Sequence, residues 1–164
     1  MGGTKNALGN ITPAAEYNFW VDPEAARIVI HSGTPITMVG WEMCTRYSIM
    51  DDNDHREMME LQTKGAQFFA AINRVVMKFN KKVHKLSGTS HPDTLLVAVA
   101  ANELLMTKST LYHVDIETRG ELTRGYSLVD INHRLGRTRN VRVCEEIDRP
   151  LFREMVVDVL KGIE

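Results

Sequence analysis

The chain has 164 residues, 43% hydrophobic and 25% charged, a composition ordinary for a soluble globular protein and long enough for one buried core. Twenty Lys and Arg against 21 Asp and Glu leave a net charge of -1, which argues against a dedicated nucleic-acid surface or a polybasic membrane anchor. Two cysteines, Cys44 and Cys144, are too few for a disulfide framework and fit a reducing compartment, the cytoplasm. No apolar run reaches the ~18 residues of a membrane span, and the start lacks the regions of a signal peptide.

Read in chain order, the first twenty residues are a loop, broken by Gly2, Gly3, Gly9, Asn10 and Pro13. A helix follows: Asp22 caps it, Pro23 suits its first position, Glu24 complements its dipole, and Gly33 ends it. Ile36 to Trp41 reads as a buried strand, too apolar for a wet face, which suggests a parallel sheet. A helix spans Arg56 to Leu61. The strongest helical signal runs from Phe68 to Leu86, with its aromatic ridge of Phe68, Phe69 and Phe79 assigned to the core and Gly88 as its stop. Ser90 to Asp93 opens a further helix, apolar all round from Leu95 to Ala101. Strands are expected at Leu111 to Glu117, Tyr126 to Ile131 and Asn140 to Cys144, with a turn at Arg119 to Glu121. A last helix begins near Asp148 and Pro150. Helices alternating with short strands make this an α/β chain, a single domain over residues 1–164 by length.

Three local patterns bear on chemistry. Met1-Gly2-Gly3 through Gly9-Asn10 is glycine-rich but matches neither a Walker loop nor a dinucleotide fingerprint, and on composition it is a flexible start. Glu16 and Asn18 flank Tyr17, and in extended backbone they share one side, where a carboxylate and an amide suit vicinal hydroxyls. As isolated residues they read more simply as solvated loop positions. In Ser90-His91-Pro92-Asp93, Asp93 is a candidate hard-cation ligand and His91 a proton donor; a capping arrangement, with Ser90 as cap, is equally consistent. The Asp51 to Asp54 run lacks the Gly and Glu of an EF-hand, and the histidines lack zinc spacing.

Taken together, Met1-Gly2-Gly3, Gly9 through Asn18 and Val21-Asp22-Pro23-Glu24-Ala25-Ala26 resemble the inosine–uridine preferring nucleoside hydrolase family, whose members cleave N-ribosidic bonds. The resemblance continues at Pro35 to Gly40, His91-Pro92-Asp93, Val114 to Glu117, Gly120 to Gly125 and Val129-Asp130. It implies the C-terminal part of a Rossmann-like α/β domain, with a mainly parallel sheet flanked by helices. It further implies a substrate-binding set of Met1, Asn10, Glu16, Asn18 and Asp93. Asp93 would also bind the catalytic calcium, and His91 would act as catalytic acid on the leaving base. The commoner family pattern places the His immediately before the Asp; here Pro92 stands between them.

The family's Asp-rich motif, which supplies most of its calcium shell, is not matched in this sequence. The resemblance therefore implies an incomplete domain, weak calcium binding and little hydrolysis by this chain alone. The expected partners are a ribonucleoside substrate and either a separate N-terminal half or further copies of the chain, with no nucleic acid and no membrane. A non-catalytic ribose-binding protein is the alternative from a different class.

Overall fold

The computed structural model describes residues 1–162. In chain order its elements are α1 (Tyr17–Val21), α2 (Pro23–Ile30), β1 (Thr37–Met38), α3 (Trp41–Tyr47), β2 (Ile49–Met50), α4 (Asp52–Glu60) and α5 (Lys64–Phe79). A π-helical turn, Asn80–His84, prolongs α5. Then follow β3 (Thr89–Ser90), α6 (Pro92–Ala101), a 3-10 turn, β4 (Met106–Tyr112), β5 (Val114–Ile116), β6 (Ser127–Val129), β7 (Val141–Ile147) and α7 (Arg149–Gly162). The α/β class read from the sequence holds. The chain forms two compact units: Met1–Met43 with Met106–Ile147, and Cys44–Leu105 with the residues from Asp148 onward.

The first unit is built on a three-stranded mixed sheet in the order β1-β7-β4. β1 runs parallel to β7, with Thr37 opposite Arg142, whereas β4 runs antiparallel to β7, with Tyr112 opposite Val141. β5 and β6 pair as an antiparallel hairpin, with Val114 opposite Val129, as the turn at Arg119 to Glu121 suggested. Met38, Tyr112, Val114, Ile116, Val129, Val141 and Val143 form its core, and Ile30 of α2 packs into it. α2 starts as its sequence dictates: the Asp22 carboxylate accepts the Ala25 N–H at 2.9 Å, and Pro23 fills the first position.

The N-terminus of this unit is ordered rather than flexible. The Gly2 N–H donates to the Val39 carbonyl and the Trp41 N–H to the Gly3 carbonyl, so the first residues run beside β1. Gly3 has φ +64, and a Cβ there would come within 2.6 Å of the Phe19 ring. A glycine is therefore required at this position by both backbone and space.

In the second unit β2 and β3 form a short antiparallel pair, with Ile49 opposite Ser90. Met58 of α4, Leu95 of α6 and Phe152 of α7 are fully buried. The Asp51 carboxylate caps α4 while Asp54 returns a bond to the Asp51 N–H, a complete capping box that accounts for this acidic run without a metal. Three expectations are corrected here. The apolar run from Ile36 to Trp41 is strand only at Thr37–Met38, and Trp41 opens α3. Phe68 and Phe79 of α5 are exposed instead of lying in the core. α6, whose all-round apolar sequence suggests a fully buried helix, is buried on one side only, at Leu95, Ala98 and Val99, and leaves Val97 in solvent.

Candidate functional site

In the first unit Met1, Asn10, Glu16 and Asn18 come together around the start of α1. Glu16 is not part of an extended segment: it is the N-cap of α1, and Asn18 lies in the helix. Its buried carboxylate accepts the Gly3 N–H and the Asn18 N–H, each at 2.9 Å, and the Phe19 N–H at 3.4 Å. Three of the roughly four lone-pair directions of the carboxylate serve these donors, so the group is fixed by backbone before any ligand arrives. Asn10 Oδ1 accepts the Tyr17 N–H at 2.8 Å and ties the preceding loop to the same helix start. The exposed Asn18 amide donates to the Met1 carbonyl at 3.2 Å and lies 3.4 Å from Met1 Sδ. Met1, Asn18 and Phe19, with Ile30, Ile36 and Met38, line a cavity of about 380 Å³.

His91 and Asp93 belong to the second unit. Asp93 is exposed, in the first turn of α6. The N-cap of α6 is His91, not Ser90, and His91 makes no side-chain capping bond. Ser90 ends β3 instead, and its buried hydroxyl has no hydrogen-bond partner among the described residues. His91 turns toward β3: its Nε2 lies 2.7 Å from Thr89 Oγ1. The same hydroxyl lies 2.8 Å from His55 Nε2. Phe69 stacks on both imidazoles, at ring-centroid distances of 5.1 Å to His91 and 5.3 Å to His55. Burial, and secondarily the charge of His55, brings the His91 pKa down to about 4, so its imidazole is neutral near pH 7. Burial likewise lowers His55. A neutral imidazole donates a hydrogen bond but is not a reservoir of imidazolium acid.

Thr89, His55 and Phe69 were not read as site residues from the sequence. One signal was available: Thr89 and His91 are two apart in extended backbone and so share a side. Nothing local to Asp52–Glu60 points His55 at them.

Among the described residues no group of three or more His, Cys, Asp or Glu is placed to hold a metal ion. Calcium takes about six to eight oxygens, and Asp93 is one exposed carboxylate. The donors among the described residues do not fit a calcium site.

The fold class is that of the nucleoside hydrolases. A solved purine-preferring ribonucleoside hydrolase from Gardnerella vaginalis superimposes with a TM-score of 0.85 at 26% identity, over 99% of this chain and 51% of that one. A family model described as inosine-uridine preferring nucleoside hydrolase matches residues 1–154, and the chain belongs to that family. It is 36% identical to the pyrimidine-specific ribonucleoside hydrolase RihA of Shewanella baltica, over 98% of this chain and 50% of that protein. It is 32% identical to a probable ribonucleoside hydrolase of Dictyostelium discoideum, over 98% of this chain and 48% of that protein. The chain thus spans about half the length of the curated relatives it matches. Among the described residues no helix is long and apolar enough to cross a membrane.

Proposed function

We propose that the chain holds the ribose of a purine or pyrimidine ribonucleoside for cleavage of the N-ribosidic bond, with Asn10, Glu16, Asn18 and Met1 as the sugar-side set. The observation that carries this reading is the fixed carboxylate of Glu16 beside the exposed Asn18 amide. A hydroxyl-rich ligand needs acceptors and donors held in place, and the three backbone N–H groups on Glu16 supply that rigidity. Family membership and relatives named as ribonucleoside hydrolases support the substrate class. Cleavage of such a bond passes through an oxocarbenium-like state, to which sugar contacts contribute by holding the ring distorted.

Within the second unit, the exposed Asp93 carboxylate is suited to a sugar hydroxyl or a cation, and His91, neutral at pH 7, is suited to hydrogen-bond a base. Because the donors present amount to one candidate calcium ligand, the 164 residues alone turn over little or no nucleoside. The chain spans about half the length of its relatives, and in this reading the remaining half, whether on this or a separate polypeptide, completes the site.

The test is NMR titration of the purified chain with inosine, uridine and free ribose. Shifts at Gly3, Glu16 and Asn18, lost in Asn18→Ala, are expected. No shift at these residues at millimolar ligand would overturn the ribose reading. Robust calcium-dependent release of base by the 164-residue chain would overturn the statement that it is nearly inactive alone, while leaving the ribose reading intact.

A further inference from the structure

We propose that Ser127 of β6 is a positioning residue for the Glu16 carboxylate and, through it, for the sugar-side set; the second half of this statement rests on the ribose reading above. Ser127 and Thr4 are each 1% exposed and lie 123 positions apart in the chain. The Thr4 N–H donates to Ser127 Oγ at 2.7 Å, and the Ser127 hydroxyl donates to the Thr4 carbonyl at 2.7 Å. A serine hydroxyl has one proton to donate, and here it goes to the residue whose N–H the same oxygen accepts. One side chain thus grips Thr4 by both its backbone groups and leaves neither unpaired in the interior. The Thr4 N–H belongs to the peptide that follows Gly3, and the Gly3 N–H donates to Glu16 Oε2 at 2.9 Å. Gly3 is itself wedged in place: a Cβ on it would lie 2.8 Å from Ser127 Oγ and 2.6 Å from the Phe19 ring. Phe19 in turn donates its N–H to the same Glu16 oxygen at 3.4 Å. Ser127, Gly3, Glu16 and Phe19 close a ring of contacts, so a shift of Thr4 is passed to the carboxylate.

Asn6 supplies a second grip on the same strand. The Tyr126 carbonyl and the Asp130 N–H point toward the β5 side, where they meet the Glu117 N–H and the His113 carbonyl. By alternation the N–H and carbonyl of Val129 face away from β5. The Asn6 side chain takes both: its Nδ2 donates to the Val129 carbonyl at 2.8 Å, and its Oδ1 accepts the Val129 N–H at 3.0 Å. The Tyr126 hydroxyl donates to the same Oδ1 at 3.0 Å. A side-chain amide donates and accepts side by side, as the backbone of a neighbouring strand would. Asn6 has φ +53, a left-handed conformation in which asparagine is enriched. Thr4 and Asn6 therefore fasten the N-terminal segment to β6, and the β5–β6 hairpin holds the frame from which Gly3 reaches Glu16. All of these residues lie in the first unit. Because Ser127 is buried and its proton is committed to Thr4, it acts through the backbone.

The experiment follows the Gly3 amide resonance and ribose affinity by NMR in the 164-residue chain and three variants. Ser127→Ala removes both bonds to Thr4. Asn6→Gly removes the amide but keeps the left-handed backbone, and it serves as the milder variant should Ser127→Ala fold poorly. Ile147→Ala is the control: it destabilises the same unit from the buried last residue of β7. In Ser127→Ala the Gly3 amide proton is expected to move upfield as its bond to Glu16 lengthens, and ribose to bind about tenfold more weakly. Asn6→Gly should give the same two changes, smaller. Ile147→Ala should lower Tm and leave both in place. A Gly3 signal unmoved in Ser127→Ala and Asn6→Gly overturns the proposal. So does an equal response in Ile147→Ala, which makes the effect a general loss of stability. A displaced Gly3 signal with unchanged ribose affinity overturns the role in sugar binding. A native chain that binds no ribose sinks the sugar reading instead, and a displaced Gly3 signal in Ser127→Ala then still upholds the link from Ser127 to Glu16.

Discussion

The Glu16 side chain accepts the backbone N–H of Gly3 at 2.9 Å across thirteen residues of chain, so one carboxylate both starts α1 and pins the N-terminal glycines. A group that does both is structural before it is chemical. Glu16→Ala leaves three N–H groups short of an acceptor and is expected to cost about 1–3 kcal/mol in urea unfolding. Asn18→Ala, at an exposed position, is expected to stay within about 0.5 kcal/mol. Equal losses at the two positions would contradict this assignment, in which Glu16 holds the local structure as well as facing the sugar and Asn18 only faces it.

Glu145 predicts the acid limb of stability. Burial raises its pKa, but bonds from Lys5, from Thr110 Oγ1 at 2.8 Å and from Tyr112 OH at 2.9 Å outweigh that and bring it to about 2. The folded value lies below the ordinary 4.5, so this stabilisation is complete above about pH 4.5 and is lost as pH falls toward 2. Asp115, held to about 2 against its own burial by His31 and Arg27, titrates in the same window. Thermal midpoints should fall across that range. Glu145→Gln should lower the midpoint at neutral pH and flatten, without abolishing, the acid slope.

The imidazole of His91 should titrate near pH 4 by NMR, far below the ordinary 6.5. Between those values the unfolded chain takes up a proton that the folded chain refuses, so this residue lowers stability as pH falls from 6.5 to 4. Phe69→Ala uncovers the ring and should move its midpoint upward. Thr89→Val removes the hydroxyl that faces both imidazoles and is expected to cost about 1–3 kcal/mol. An unmoved His91 midpoint in Phe69→Ala would show that burial is not the cause.

On α7 the two faces should behave oppositely. Phe152 is fully buried, and Phe152→Ala is expected to destabilise by about 3–5 kcal/mol. Val159 is exposed, and Val159→Ala should change unfolding by no more than about 0.5 kcal/mol.

Where local chemistry decides an element, the sequence was readable. Asp22-Pro23 announces α2, and Pro150 stands in the first turn of α7. Reading failed where the answer depends on what lies opposite. The period of α5 identifies an apolar stripe at Phe68 and Phe79 but carries no information about what covers it, and both rings are more exposed than buried. The run from Ile36 to Trp41 is apolar enough for a strand, yet pairing with β7 extends only over Thr37–Met38. The same holds for the site. Glu16 and Asn18 were legible as a pair because they are two apart, but their geometry comes from helix capping, not from alternation along a strand. The approach of His55 to Thr89 is long-range, and no periodicity within either segment encodes it.

The two thiols give the chain a built-in reporter. Cys144 lies in the first unit and Cys44 in the second, and neither exposes surface to solvent. Burial, reinforced by the carboxylates of Glu42 and Glu145, pushes the Cys144 thiol up to about 11. A disulfide reagent at neutral pH therefore reacts with each sulfur only when its surroundings open. Labelling kinetics, resolved by peptide mass, would clock the opening of the two halves of the molecule separately and without any introduced probe.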